Sequence, residues 1–147
     1  MPSCFLCSKD LAPVVAEGEY WRLVLNINQN FVGKCMWVLR RHIEPVPDLS
    51  ADEWAELHLL IGRTRDMLHG AFQPDHYNFA FMQNLDKHVH LHVVPRYAAT
   101  RTFEGLTFSD PDWPGHYTAL NPSRRLAPEA MTALAEHLRL IWSQGTA

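Results

Sequence analysis

Three histidines at alternate positions are the feature of this chain with the clearest chemical potential. The stretch "HVHLHVVPR" contains His88, His90 and His92. On a β-strand, alternate side chains lie on one face about 6.6 Å apart, because each residue advances the strand by about 3.3 Å. The pattern therefore predicts a row of three imidazoles on one face of a strand. Val89, Leu91 and Val93 are expected to pack on the other face, against a helix.

The row of imidazoles is compatible with three roles. An imidazole titrates near neutral pH and can act as a nucleophile, an acid, a base or a metal ligand. In covalent phosphoryl chemistry the middle residue, His90, attacks phosphorus while its other ring nitrogen donates a hydrogen bond. Flanking donors then stabilise the phosphoryl oxygens. Alternatively, the row binds a catalytic zinc ion, although no carboxylate follows it closely. A purely structural row would have to bear the desolvation of several imidazoles.

Two of the three cysteines form a second candidate site. Cys4 and Cys7 lie in the N-terminal stretch "CFLC", which is either half of a tetrahedral zinc site or a pair of free thiols. No basic segment followed by a long apolar run occurs here, so we expect no signal peptide and a cytoplasmic location, where thiols stay reduced. Cys35 lies within a predicted strand and is expected in the core.

Strand-forming residues cluster in four segments of the chain. They predict strands over residues 19–27, 35–40, 76–83 and 88–95. The last two segments are joined by a connection of hairpin length. The histidine row is thus expected on the second strand of a hairpin.

Two helices complete the predicted secondary structure. Ser50 and Glu53 form a capping-box signature for a long amphipathic helix that ends near Gly70. A last helix is expected over about 128–143, after a loop over about 96–126 that has no clear period. Strands, helix, strands and helix in this order predict one α+β domain with an antiparallel sheet.

Charge and hydropathy limit the partners of the chain. The formal net charge over 147 residues is −3, which argues against a nucleic acid polymer or an anionic membrane as partner. No run of apolar residues reaches the length of a transmembrane helix. A small anionic ligand held by a few groups stays compatible with this composition.

The chain resembles the histidine triad (HIT) family. The run "HVHLHVV" fits the pattern His-x-His-x-His followed by two apolar residues, and "LNINQNFVGKCMWVLRRHIEPVPDLSADEW" is similar to the stretch from the family's nucleotide-binding loop to its helix. The resemblance covers roughly residues 4–97. It implies a HIT-like antiparallel sheet of about five strands with one long helix and a C-terminal helix, and a homodimer.

The same resemblance implies a nucleotide-processing activity. Members of the family are hydrolases and nucleotidyl transferases that act at the α-phosphate of nucleoside phosphates, dinucleoside polyphosphates or phosphoramidates, without an organic cofactor. By resemblance, His90 is the nucleophile, His92 contacts the phosphoryl or bridging oxygen, and His88 positions the cluster. Asn26 occupies the place of the residue that binds the ribose hydroxyls, and Ile27 that of a contact to the base.

Two positions depart from the family pattern. Lys34 follows Gly33 where the family commonly has a histidine, and a lysine does not shuttle a proton as readily at neutral pH, although it can hold a polyphosphate. Before the triad, Asn84 stands where many members carry glutamine, and its amide can donate to a phosphate. Leu85 stands where they carry a hydroxyl. Some bacterial members that resemble diadenosine tetraphosphate hydrolases also have short loops here.

Some family members with an N-terminal CxxC bind structural zinc. By that resemblance, Cys4 and Cys7 would be joined by His42, in "LRRHIEP", and by His88. We therefore expect a nucleoside phosphate hydrolase, possibly one for dinucleoside polyphosphates, with structural zinc. A non-catalytic nucleotide-binding module and a metal-dependent hydrolase that uses the histidine row as ligands are the alternatives.

Overall fold

A five-stranded antiparallel sheet forms the centre of the protein. The computed structural model describes residues 4–8, 10–11, 13–117 and 122–145. The strands, in chain order, are β1 (Val14–Glu17), β2 (Trp21–Leu25), β3 (Cys35–Leu39), β4 (His76–Ala80) and β5 (His90–Arg96). Their order across the sheet is β1-β2-β3-β5-β4, with every neighbouring pair antiparallel. This confirms the predicted α+β fold and its sheet of about five strands.

Two helices pack on one face of this sheet. They are α1 (Ala51–Phe72) and α2 (Pro128–Gln144). Short 3₁₀ turns occupy Phe5–Cys7 and Val46–Asp48. Within the described ranges, neither helix combines the length and the apolar character that crossing a membrane requires.

The start of α1 follows the predicted capping box. The Ser50 hydroxyl accepts a hydrogen bond from the Glu53 backbone N–H at 3.1 Å, and the Glu53 carboxylate accepts one from the Ser50 N–H at 2.8 Å. These two bonds satisfy backbone donors that the first helical turn leaves unpaired. The helix continues to Phe72, past the expected end near Gly70, and closes on Gln73 in the left-handed region at φ 49°.

The main core lies between the sheet and the two helices. Val89, Leu91 and Val93 are buried there, as their alternation predicted. Trp37 on β3 donates from its indole nitrogen to the Thr64 hydroxyl of α1 at 2.8 Å. Cys35 is fully buried in the same core, and its thiol pKa is raised to about 12 by that burial. The apolar sides of β3 and β5 are thereby fixed against the helices.

The N-terminal segment covers part of the opposite face of the sheet. Leu6 and Leu11 form a smaller buried cluster with side chains of β2 and β3, namely Val24, Met36 and Val38. The Arg22 guanidinium also donates to the backbone oxygens of Leu6 at 3.0 Å and Ser8 at 3.2 Å. These contacts hold the Phe5–Cys7 turn on the same face as the histidine row.

Two elements differ from the sequence-based expectation. β1 has only four residues, too few for a recognisable alternation, and it was not predicted. The segment expected as a loop over about 96–126 contains a hairpin of β6 (Arg101–Phe103) and β7 (Leu106–Phe108). Its turn uses the left-handed conformation at Glu104 and Gly105. Strands of three residues leave no periodic signal in the sequence.

Candidate active site

The histidine row borders a cleft on the sheet face opposite the helices. His90 and His92 of β5 lie across from Val38 and Met36 of β3, whose side chains belong to the N-terminal side of the sheet. The cleft has a volume of about 420 Å³. Its walls consist of Phe5, Leu6, Asn26, Ile27, Met36, Met82, Gln83, Asn84, Leu85, Asp86, His90 and His92.

This cleft brings together five of the residues that the sequence singled out. They are Asn26, Ile27, Asn84, His90 and His92. Lys34 and His88 do not line it. The walls also include apolar side chains that the sequence analysis did not single out, among them Phe5 and Leu6. Both lie outside the long elements, where no periodicity marks them.

The ring of His90 is held in one tautomer by a backbone carbonyl. Its Nδ1 lies 2.7 Å from the carbonyl oxygen of His88, and a carbonyl oxygen only accepts. Nδ1 therefore carries the proton, and Nε2 presents its lone pair. The side chain is almost fully buried at the base of the cleft, with 4% of the residue exposed. A desolvated, oriented imidazole nitrogen of this kind is suited to nucleophilic attack.

His92 lies next to the free nitrogen of His90. The two Nε2 atoms are 3.1 Å apart, and the rings meet edge to face. Burial lowers the pKa of His92 to about 4, with further contributions from His90 and the Lys34 ammonium. His92 is thus neutral at neutral pH. Because His90 Nε2 is an acceptor, the hydrogen bond requires a proton on His92 Nε2, which makes His92 the donor to His90.

Asn26 belongs to a loop that its own side chain helps to fix. The Asn26 carboxamide oxygen accepts from the Asn28 backbone N–H at 2.9 Å, and the Asn26 N–H donates to the Lys34 carbonyl at 3.0 Å. Gln29, which is fully buried, donates from Nε2 to the carbonyls of Asn26 and Lys34, both at 2.7 Å. Gln29 was not singled out in the sequence, where it is one of several polar residues in "NQNFVGK".

Lys34 does not line the cleft, although its charge acts on His92. Its ammonium donates to the Asn30 carboxamide oxygen at 3.3 Å. Burial lowers its pKa below the ordinary lysine value. Gly33 precedes it with φ 89°, in the region that favours glycine. The contribution of Lys34 to the site is therefore a positive charge near His92.

The loop before β5 forms the opposite wall of the cleft. Gln83 adopts φ 46° and donates from Nε2 to the carbonyl oxygens of Glu44 at 2.5 Å and Lys87 at 2.6 Å. These bonds place the next two residues, Asn84 and Leu85, at the mouth of the cleft. Leu85 is 96% exposed, so an apolar side chain stands open to a ligand there.

A second group of side chains lies beside the cleft and has the composition of a metal site. The ligand atoms of Cys4, Cys7, His42 and His88 all lie within 4.8 Å of one another. His88 Nδ1 is 3.4 Å from each sulfur and 3.1 Å from His42 Nδ1, which is in turn 3.4 Å from Cys7 Sγ. Tetrahedral zinc bonds of about 2.3 Å to sulfur and 2.0 Å to nitrogen separate ligand atoms by about 3.3–3.8 Å. The four residues fit such an ion.

His88 connects this cluster to His90. Its Nε2 donates to the Leu39 carbonyl at 2.6 Å, so its Nδ1 is left as an acceptor that faces the cysteines. The residue is 1% exposed, and burial lowers the pKa of the ring. The side chain of His88 therefore belongs to the Cys/His cluster, while its backbone carbonyl holds His90.

Arg96, the last residue of β5, has a structural position. It is 3% exposed, and its guanidinium donates to the buried Asp110 carboxylate at 2.6 and 3.1 Å. It also donates to the Asn78 side chain and the Gly115 carbonyl. Arg96 therefore anchors the segment after β7 to the sheet.

Solved histidine triad proteins share this architecture. A hypothetical histidine triad nucleotide-binding protein from Sulfolobus tokodaii superposes with a TM-score of 0.73 at 19% identity, covering 96% of this chain and 93% of that one. A histidine triad protein from Marinobacter aquaeolei gives 0.72 at 20% identity, covering 89% and 88%. A zinc-bound histidine triad family protein from Mycobacterium smegmatis gives 0.61 at 21% identity, covering 90% and 85%.

By sequence, no family model and no curated protein matches the chain. The structural likeness spans nearly the whole length of both partners in each of these comparisons. It includes the five-stranded sheet that carries the histidine row and the helices behind it. The chain therefore has the fold of the histidine triad proteins.

Proposed function

We propose that the protein is a histidine triad hydrolase that cleaves nucleoside phosphates at the α-phosphate through a nucleotidyl-histidine intermediate. The observation that supports this best is the tautomer of His90. Its Nδ1–H donates to the His88 carbonyl, and its Nε2 lone pair lies beside the donor nitrogen of His92 at the base of a cleft. A nucleophile, a hydrogen-bond donor and room for a ligand coincide at this point.

The first chemical step is attack of His90 Nε2 on the α-phosphorus. A phosphorus–nitrogen bond forms as the bond from phosphorus to the leaving group breaks. The neutral His92 ring donates a hydrogen bond from Nε2–H to the departing atom, and solvent water supplies any proton that the leaving group takes up. In the second step, water attacks phosphorus and releases one proton to the solvent. The phosphorus–nitrogen bond breaks, and a nucleoside monophosphate and the free enzyme result.

The remaining polar residues of the cleft bind the nucleotide. Asn26 holds the ribose hydroxyls, and Ile27 contacts the base, as the family resemblance implies. Asn84 donates its amide to a phosphate oxygen from the opposite wall. Lys34 adds a positive charge behind His92 that stabilises the phosphoryl group.

The two candidate substrate classes differ in the charge of the leaving group. A dinucleoside polyphosphate has a leaving group with several negative charges, whereas a nucleoside phosphoramidate releases an amine. Among the described residues that line the cleft there is no lysine or arginine, and Asp86 lies at its edge. A polyphosphate would thus lack cationic partners in the cleft itself. This favours the phosphoramidate.

The Cys/His cluster is proposed as a structural zinc site. Its four protein ligands would close the coordination shell of a tetrahedral ion, and a closed shell fixes chain segments instead of activating water. His90 and His92 lie outside it, which argues against the metal-dependent hydrolase as an alternative. On the resemblance, we further propose that residues 1–147 act as one domain, as a homodimer and in the cytoplasm.

Trapping of the intermediate tests the proposed function. Protein mixed with a labelled adenosine phosphoramidate or diadenosine tetraphosphate and quenched in seconds should carry the nucleotidyl group on His90, detectable by peptide mass spectrometry. His90→Ala should lose turnover, and His58→Ala, at an exposed position on α1, should keep it. Nucleotide binding without turnover of any such substrate would instead identify a non-catalytic binding module.

A further inference from the structure

The Phe5–Cys7 turn is shared by the Cys/His cluster and the cleft. Cys4 and Cys7 flank Phe5 and Leu6 in the chain, and their sulfur atoms face His88. The side chains of Phe5 and Leu6 line the cleft together with His90 and His92. Four consecutive residues thus supply two ligand atoms to one site and one wall to the other.

We propose that this turn couples the two sites, so that a metal ion in the cluster strengthens nucleotide binding by fixing Phe5 as a wall of the cleft. This inference rests on the proposed nucleotide-binding function. An ion bound by both cysteines removes the freedom of the residues between them. Phe5 is 54% exposed, so few packing contacts fix its ring without the ion.

Phe5 and Leu6 differ in how firmly the surrounding structure holds them. Leu6 is 1% exposed and packs with Val24 and Val38, and its carbonyl accepts from Arg22. It therefore stays in place when the cluster is empty. The ring of Phe5 lacks this anchorage and depends on its flanking cysteines. When one ligand orders a group that must also be ordered for a second ligand to bind, the first ligand raises the affinity for the second.

Such coupling must be reciprocal. If a metal ion raises the affinity for a nucleotide by some factor, the nucleotide raises the affinity for the metal ion by the same factor. The coupling is therefore measurable from the metal side, without turnover. Zinc affinity is obtained by competition with a chelating dye, with and without a saturating nucleoside 5′-monophosphate, using whichever of AMP, GMP, CMP and UMP binds most tightly.

In the wild-type protein we expect the nucleotide to raise zinc affinity about tenfold, within the usual range of coupling between two sites. Phe5→Ala removes the shared wall and leaves all four ligand residues in place. It should bind zinc as the wild type does, but its zinc affinity should no longer respond to the nucleotide. Met82→Ala shortens another half-exposed side chain of the cleft, one that lies outside the Phe5–Cys7 turn, and should keep the full response.

The Phe5→Ala variant also separates this coupling from metal-dependent folding. If the metal acted only by folding the whole chain, a nucleotide that binds the folded state would raise zinc affinity in Phe5→Ala too. A response retained in Phe5→Ala, or absent in the wild type while the nucleotide binds, overturns the inference and leaves the proposed function intact. Failure of all four nucleotides to bind the zinc-loaded wild type would overturn both.

Discussion

Lowering the pH should destabilise this protein through His92. Burial, His90 and Lys34 lower the pKa of His92 to about 4 in the folded chain, whereas an unperturbed histidine has a pKa of about 6.5. Between these values the unfolded chain binds the proton more readily than the folded one. The contribution of neutral His92 to the free energy of unfolding is therefore fully present above pH 6.5 and is lost as the pH falls towards 4.

The size of the loss follows from the separation of the two pKa values. One pH unit corresponds to 1.36 kcal/mol, and proton linkage through His92 alone then lowers the free energy of unfolding by about 2 kcal/mol at pH 5 and about 3 kcal/mol at pH 4, relative to pH 8. A loss of this size is a large part of the net stability of a small domain.

His92→Gln isolates this contribution from the other titrating groups. Its amide keeps a donor near His90 but does not titrate in this range. Urea unfolding at several pH values between 4 and 8 gives the free energy of unfolding of both proteins. Between pH 8 and pH 4, the free energy of unfolding should fall less for the variant than for the wild type. The two losses should differ by about 3 kcal/mol.

A control variant shows whether the effect belongs to this position. His58→Gln removes an imidazole from an exposed position on α1, and its stability should follow the wild-type curve at every pH. If the difference between the wild type and His92→Gln stays constant from pH 8 to pH 4, His92 is not desolvated as the structure has it. The assignment of His92 as a neutral donor beside the nucleophile would then lose its basis.

Three further predictions concern stability. Chelation should lower the melting temperature of zinc-loaded protein, and added zinc should restore it, because the Cys/His cluster joins the N-terminal turn to the sheet; an unchanged melting temperature would contradict a structural ion. Thr64→Val leaves the buried Trp37 indole N–H without its acceptor and should cost about 1–3 kcal/mol in urea unfolding, whereas Ser143→Ala, at an exposed position of α2, should cost far less. Asp110→Ala leaves the buried Arg96 guanidinium without its carboxylate and should cost about 3–5 kcal/mol, and a loss under 1 kcal/mol would show that Arg96 finds another partner.

The sequence predicted the elements whose residues repeat with a clear period. Helix α1 has both a capping box and a long amphipathic pattern, and β5 has a strict alternation, so both were found. The alternation also placed Val89, Leu91 and Val93 correctly against the helices. Strand β1 and the β6–β7 hairpin are too short to show a period, and their pairing is decided by neighbours in space.

Side-chain direction was harder to predict than backbone position. Alternation put His88 in line with the other two histidines, but its ring faces Cys4 and Cys7, which lie more than 80 residues away in the chain. Lys34 follows the turn at Gly33, and its ammonium bonds to Asn30 instead of entering the cleft. Such directions depend on contacts that no local pattern encodes.

The three histidines of the row differ because the backbone holds them differently. His88 donates from Nε2 to the Leu39 carbonyl and so presents Nδ1 to the cysteines. His90 donates from Nδ1 to the His88 carbonyl and so presents Nε2 to the cleft. Opposite tautomers direct one ring to the Cys/His cluster and the next to the cleft. His92 is kept neutral by burial and nearby positive charge, so it is a hydrogen-bond donor beside His90. Carbonyl positions and desolvation therefore assign three different roles to three identical side chains.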